Sequence, residues 1–194
     1  MIKTMKKVEL LPMTRQMCHE FYKDFQNDPA IGHYYEYIYA PEIADRYFDR
    51  NAVADRKLFA ILVEGKIVGE CKLKNIDPQK RECSMGIHLQ NDAVKGKGYG
   101  TQAERLILQY AFDVMGMVVV NADAALKNTR SQHVLEKVGF RYTHQDDTFK
   151  YYRYERQERW NANITKPTMI AIVRFMKRIC SGLMKNRPQL SEKS

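Results

Sequence analysis

Midway along the chain, Lys95-Gly96-Lys97-Gly98-Tyr99-Gly100-Thr101 alternates glycine with basic and polar residues immediately before a helical pattern. The chemistry open to such a segment is anion binding. Glycines let the backbone turn tightly and approach a ligand, the first turn of a helix offers unpaired N–H groups at the positive end of its dipole, and the two lysines add charge. A pyrophosphate would be held well here. The spacing is neither that of a Walker loop, which ends in Gly-Lys-Ser/Thr, nor the Gly-x-Gly-x-x-Gly of a dinucleotide-binding βαβ unit. Taken alone, the loop also suits a basic surface turn.

Other residues could move protons or receive a ligand. Alternation along a strand over residues 82–90 puts Glu82, Ser84, Gly86 and His88 on one face, where Glu82 or His88 could accept a proton directly or through water. His88 equally suits a polar strand residue, and Glu82 an exposed strand end. Asn128, Thr129 and Ser131 precede a helical run and fit helix capping. Tyr34, Tyr35, Tyr37 and Tyr39 are four phenols in six residues. They suit an amphipathic groove or cation-binding face, or packing on the surface of the domain.

The elements that must position these groups follow from turn and cap signals. A strand at 8–11 leads to Pro12 and to Thr14, an N-cap for a helix to about residue 26, and Pro41 opens a helix to about residue 50. Apolar runs at 58–63 and 66–73 flank Glu64-Gly65, a hairpin signal, and Asp77-Pro78 turns the chain into the strand at 82–90. A helix over 99–115, a strand over 118–126, a helix from about 129 and a closing hairpin, 141–145 with 149–156, complete the order β-α-α-β-β-β-α-β-α-β-β. The class is α/β (α+β), a mixed sheet with helices on both faces.

Two segments carry a family resemblance. Lys95 to Thr101 resembles the Arg/Gln-x-x-Gly-x-Gly/Ala pyrophosphate motif of the GCN5-related N-acetyltransferases (GNAT), with Lys95 where Arg or Gln is usual. Asn128-Thr129-Arg130-Ser131 with Glu136-Lys137-Val138-Gly139-Phe140 is similar to the RimJ/RimL-type branch. The resemblance covers about residues 5–156 and implies a GNAT-like mixed, mostly antiparallel twisted sheet flanked by helices. It implies acetyl-CoA as cofactor, with Ile87, His88, Leu89 and Gln90 along its pantetheine and acetyl end, and Lys95, Gly96, Lys97, Gly98, Tyr99, Gly100 and Thr101 at its pyrophosphate. It implies that Ser131 stands near the cofactor sulfur, that Asn128 supports the pantetheine amides, and that Tyr34, Tyr35 and Tyr37 wall the acceptor site. The chain departs from the family pattern at Ser84, where Glu is common, and at Leu135, where many relatives place a tyrosine that serves the departing thiolate.

The expected activity is direct transfer of an acetyl group to a primary amine of a protein N-terminus, polyamine, amino acid or antibiotic. The catalytic candidates are Ser131, Asn128, His88 and Glu82. The rival reading is an acyl-CoA-binding regulatory module with little catalysis.

The chain has 194 residues and a net charge of +9, enough length for one substantial core. The charge is concentrated at the end: residues 161–194 carry seven Lys/Arg against one acid. We therefore expect an acetyltransferase domain at 1–160 and a basic amphipathic extension at 161–194. Met169, Ile172, Val173, Met176, Ile179, Cys180 and Leu183 recur there at helical spacing, which suits docking on the domain, a homodimer contact, or a membrane surface. No base-stacking pattern points to a specific nucleic acid. Four scattered cysteines, no metal-ligand spacing, no apolar run of membrane-spanning length and no signal-peptide core lead us to expect reduced thiols, no metal and a cytoplasmic protein.

Overall fold

The computed structural model describes residues 6–28 and 38–156. Tyr34, Tyr35, Tyr37 and the expected C-terminal amphipathic helix lie outside the described residues. The elements are β1 (Val8–Pro12), α1 (Arg15–Lys23), α2 (Pro41–Asn51), β2 (Lys57–Val63), β3 (Lys66–Asp77), β4 (Glu82–Leu89), α3 (Tyr99–Gln109), β5 (Val119–Ala125), α4 (Thr129–Val138), β6 (Arg141–Gln145) and β7 (Phe149–Glu155). Their order is the expected one. The Thr14 hydroxyl accepts the Met17 N–H at 3.1 Å and starts α1, and Pro41 occupies the first turn of α2. Gly139 ends α4 at φ 118°, where an added Cβ would lie 3.0 Å from the Tyr154 ring, so conformation and space both require glycine. α1 stops three residues short of the expected end. The helix expected over 99–115 finishes in a π turn over Tyr110–Val114, closed by the Met115 N–H on the Tyr110 carbonyl at 3.1 Å.

The seven strands form one sheet in the order β1-β2-β3-β4-β5-β7-β6. Its neighbours are antiparallel except β4 and β5, which are parallel. From Phe59 to Val63 β2 is buried on both faces, which is why its sequence there is an unbroken apolar run. Ala60 and Leu62 pack with Phe21, Tyr22 and Ala44 of α1 and α2. On the other face Phe59 meets the Tyr110 ring at 5.0 Å. Among the described residues no helix is long and apolar enough to cross a membrane.

The β4–β5 pairing creates the site. It runs only from Glu82 opposite Val119 to Met85 opposite Ala122, whereas β4 stays on β3 as far as Leu89 opposite Gly69. The two parallel strands therefore part after Met85. The Gln90 N–H donates to the Val68 carbonyl at 2.9 Å, so by alternation His88 and Gly86 also direct their main-chain groups to β3. Those of Ile87 and Leu89 turn the other way, into the gap.

Candidate active site

At one end of the gap stands the loop before α3, the candidate anion grip. The Asn91 side chain accepts the Ala93 N–H at 3.1 Å and starts a short 3-10 turn. Gly96 and Gly98 then take φ 72° and 80°, conformations that cost a side-chain-bearing residue energy. Gly98 caps α3 without covering it with a side chain. The first helical bond runs from the Gln102 N–H to the Gly98 carbonyl at 3.1 Å, leaving the N–H groups of Tyr99, Gly100 and Thr101 ahead of it. Lys97 is exposed.

Lys95 has partners within the protein. Its ammonium sits 2.6 Å from Asp28 and 2.8 Å from Asp92, with the side chain only 13% exposed. That charge ties the loop to the segment after α1, and Lys95 also lines the cleft. Arg130, in the first turn of α4, lines the cleft beside it and supplies a cation that the sequence reading passed over.

Ile87, His88, Leu89, Gly100, Asn128 and Ser131 line one continuous cleft, joined by Val134 and, from the segment ending α1, by Phe25, Gln26 and Asp28. Gln90 does not belong to it. Its N–H is bonded to Val68, its carbonyl accepts the Gln26 N–H at 2.8 Å, and its side-chain amide donates to the carbonyls of Phe21 at 3.0 Å and Glu20 at 3.4 Å. It fastens α1 to the end of β4. Glu82 lies at the other end of β4, about 20 Å away along the strand, and pairs with Arg153 at 3.4 Å. It is not brought to the other candidates. Asn128 is the N-cap of α4, its side-chain oxygen accepting the Ser131 N–H at 3.0 Å. The Ser131 hydroxyl plays no part in that cap. Leu135 is a core residue, 2% exposed.

His88 stands on the opposite face of β4 from Leu89, so the cleft passes through the sheet at the gap. Its Nδ1 lies 3.0 Å from a carboxylate oxygen of Glu70, directly opposite on β3. The imidazole is 40% exposed and the carboxylate 1%. Burial works against ionisation of Glu70, but His88, the nearby charge of Lys72 and the Tyr47 hydroxyl outweigh it and hold the carboxyl below its ordinary value. Tyr47 donates to the same Glu70 oxygen and accepts from the Lys72 ammonium at 3.1 Å. Burial, then the Glu70 charge, raises the Tyr47 hydroxyl far above its ordinary value, so it stays a donor. A buried carboxylate behind a half-open imidazole fixes the ring with Nε2 outward. Neither Glu70 nor Tyr47 was singled out from sequence.

A second unexpected acid is Glu104, one turn into α3. It is 1% exposed, lines the cleft, and one of its carboxylate oxygens is buried without a hydrogen-bond partner. Desolvation pushes its carboxyl up to about 8.

A glycine-bent loop opening on helix N–H groups, a gap between parallel strands and a histidine on the far side of the sheet together suit acyl transfer. The model of the acetyltransferase (GNAT) domain family matches residues 7–141, and the chain belongs to that family. The matched residues are an N-acetyltransferase domain that uses acetyl-CoA. Among its relatives is YdaF of Bacillus subtilis (strain 168), a protein provisionally named a ribosomal N-acetyltransferase, 28% identical over 116 residues. That match spans 60% of this chain and 61% of YdaF, in keeping with the RimJ-type branch. Spermidine N(1)-acetyltransferase of Escherichia coli (strain K12) is 23% identical over 135 residues, covering 69% of this chain and 72% of that protein. The structure of spermidine N-acetyltransferase from Vibrio cholerae in complex with CoA and spermine superposes with a TM-score of 0.66 at 15% identity, over 76% of this chain and 95% of that one. At that identity the likeness is one of fold.

Proposed function

We propose that the protein transfers the acetyl group of acetyl-CoA directly to a primary amine, with His88 as general base and Glu70 as the residue that positions it. The observation that carries this is the His88–Glu70 pair at the point where β4 and β5 part. The main-chain groups of Ile87 and Leu89 face the gap from one side, able to hold the pantetheine and polarise the acetyl carbonyl. His88 Nε2 faces the other side, where an amine could approach. Deprotonating the amine makes it a nucleophile, and the thioester is already activated, so alignment and one base suffice. This pairing favours catalysis over the rival reading of a regulatory module.

The relatives' names support a polyamine or a peptide N-terminus as the acceptor. A cytoplasmic location, where acetyl-CoA is available, and a homodimer belong to the same reading. His88→Gln in the full chain should lower turnover with spermidine or an N-terminal peptide by about 100-fold or more, the usual range for a lost acid or base. Acetyl-CoA affinity should stay within a few-fold. Glu70→Gln should give a smaller loss and a shifted pH profile. Undiminished turnover in His88→Gln, read by release of the CoA thiol, would remove His88 from the chemistry.

A further inference from the structure

Glu104 is at odds with its surroundings. Along α3 the neighbouring buried positions are Ala103, Ile107 and Leu108, and a carboxyl among them is costly unless it is paired or neutral. No partner meets its buried oxygen, and burial is the sole cause of its raised value. Leu135, a core residue, stands where many relatives place the tyrosine that serves the departing thiolate, so that role falls to other residues of the cleft.

Glu104 is placed where the sulfur would be. It lines the same cleft as Ile87, Leu89, Gly100 and Ser131, at the β4–β5 gap where a thioester would lie.

We propose that Glu104 is held as a neutral carboxylic acid whose O–H hydrogen-bonds the thioester end of acetyl-CoA and protonates the departing CoA thiolate. This rests on the acetyl-transfer reading above. The step balances: the amine nitrogen bonds to the acetyl carbon, the carbon–sulfur bond breaks with its electron pair on sulfur, the amine proton passes to His88 and the Glu104 proton to sulfur. Release of CoA lets water carry a proton from His88 back to Glu104. A value of about 8 keeps the acid protonated at neutral pH and close to an ordinary thiol, near 8.5, which suits proton transfer between them. The other charged or titratable groups lining the cleft are Asp28, His88, Lys95 and Arg130.

The test uses the full chain as wild type, Glu104→Gln and Glu104→Leu. Calorimetric titration with acetyl-CoA at pH 6.5 and 9.5 should show wild-type affinity falling at least about tenfold more than that of Glu104→Gln, because ionised Glu104 has no proton to donate. Turnover of Glu104→Gln with spermidine or an N-terminal peptide should fall about 100-fold at near-constant KM. Glu104→Leu should melt no lower than wild type, as expected when an unpaired buried acid is removed for function's sake. In wild type, the carbon-13 shift of the Glu104 carboxyl should titrate near 8 and move when CoA is added. A carboxyl titrating in the ordinary range, or equal pH slopes and turnover within about threefold in Glu104→Gln, overturns the proposal and leaves acetyl transfer standing. Failure of wild type to bind acetyl-CoA at either pH overturns both.

Discussion

Ser131 and Asn128 meet at the start of α4 and divide two kinds of work between them. Asn128 satisfies an orphan N–H of the helix with its side chain, so Asn128→Ala should cost about 0.5–2 kcal/mol of stability, read as a fall of several degrees in Tm. Ser131 supplies only its backbone N–H to that bond and lines the cleft. Ser131→Ala should therefore leave Tm within a degree or so and lower kcat more than it changes acetyl-CoA affinity. A loss of Tm with full turnover would return Ser131 to a purely structural role. At this scale the sequence was legible wherever a motif names a residue, as with Asn128, Ser131 and the glycines. Gln90, which the resemblance set along the pantetheine, has its main-chain and side-chain groups committed to Val68, Gln26, Phe21 and Glu20, and strand alternation alone does not say which neighbouring strand takes the backbone groups. Glu70 and Glu104 did leave a signal, each a lone acid in an otherwise apolar stretch, but its meaning depends on what the fold brings opposite.

Among the elements, α3 and the loop before it carry the anion grip. Gly98→Asp would force a side chain into a left-handed conformation and set a negative charge at an N–H-rich helix end. Gly98→Asn imposes a milder strain, since Asn tolerates that conformation better than most residues, and adds no charge. Calorimetry should show CoA affinity falling at least tenfold, about 1.4 kcal/mol, in folded Gly98→Asp, and less in Gly98→Asn. Equal, undiminished affinity in both variants would remove the loop from cofactor binding. The element order was readable because caps, prolines and hairpin turns punctuate the chain at nearly every boundary. The gap was not readable from periodicity. Residues 86–89 keep the alternation of a paired strand after β5 has left them, so periodicity gives no sign of where β4 and β5 part.

For the whole molecule the open element is the basic end of the chain. Among the described residues, the lining of the cleft and the strands of the sheet lie within residues 6–156, whereas much of the positive charge lies in residues 161–194. Apolar residues at 169, 172, 173, 176, 179, 180 and 183 recur on one face at helical spacing, and a continuous exposed stripe of that kind lowers solubility. The spacing predicts a helix that packs on its own domain or on a second subunit, with lysines and arginines outward. Truncation after Trp160 should accordingly lower Tm or convert a dimer to a monomer by light scattering, with CoA affinity intact because all the described residues lining the cleft are retained. A membrane-surface role makes the opposite forecast. The intact chain would bind vesicles rich in anionic phospholipid, salt would weaken that binding, and truncation would abolish it without changing Tm or oligomeric state. That second pattern would overturn the packing assignment and move the function of the extension from assembly to localisation.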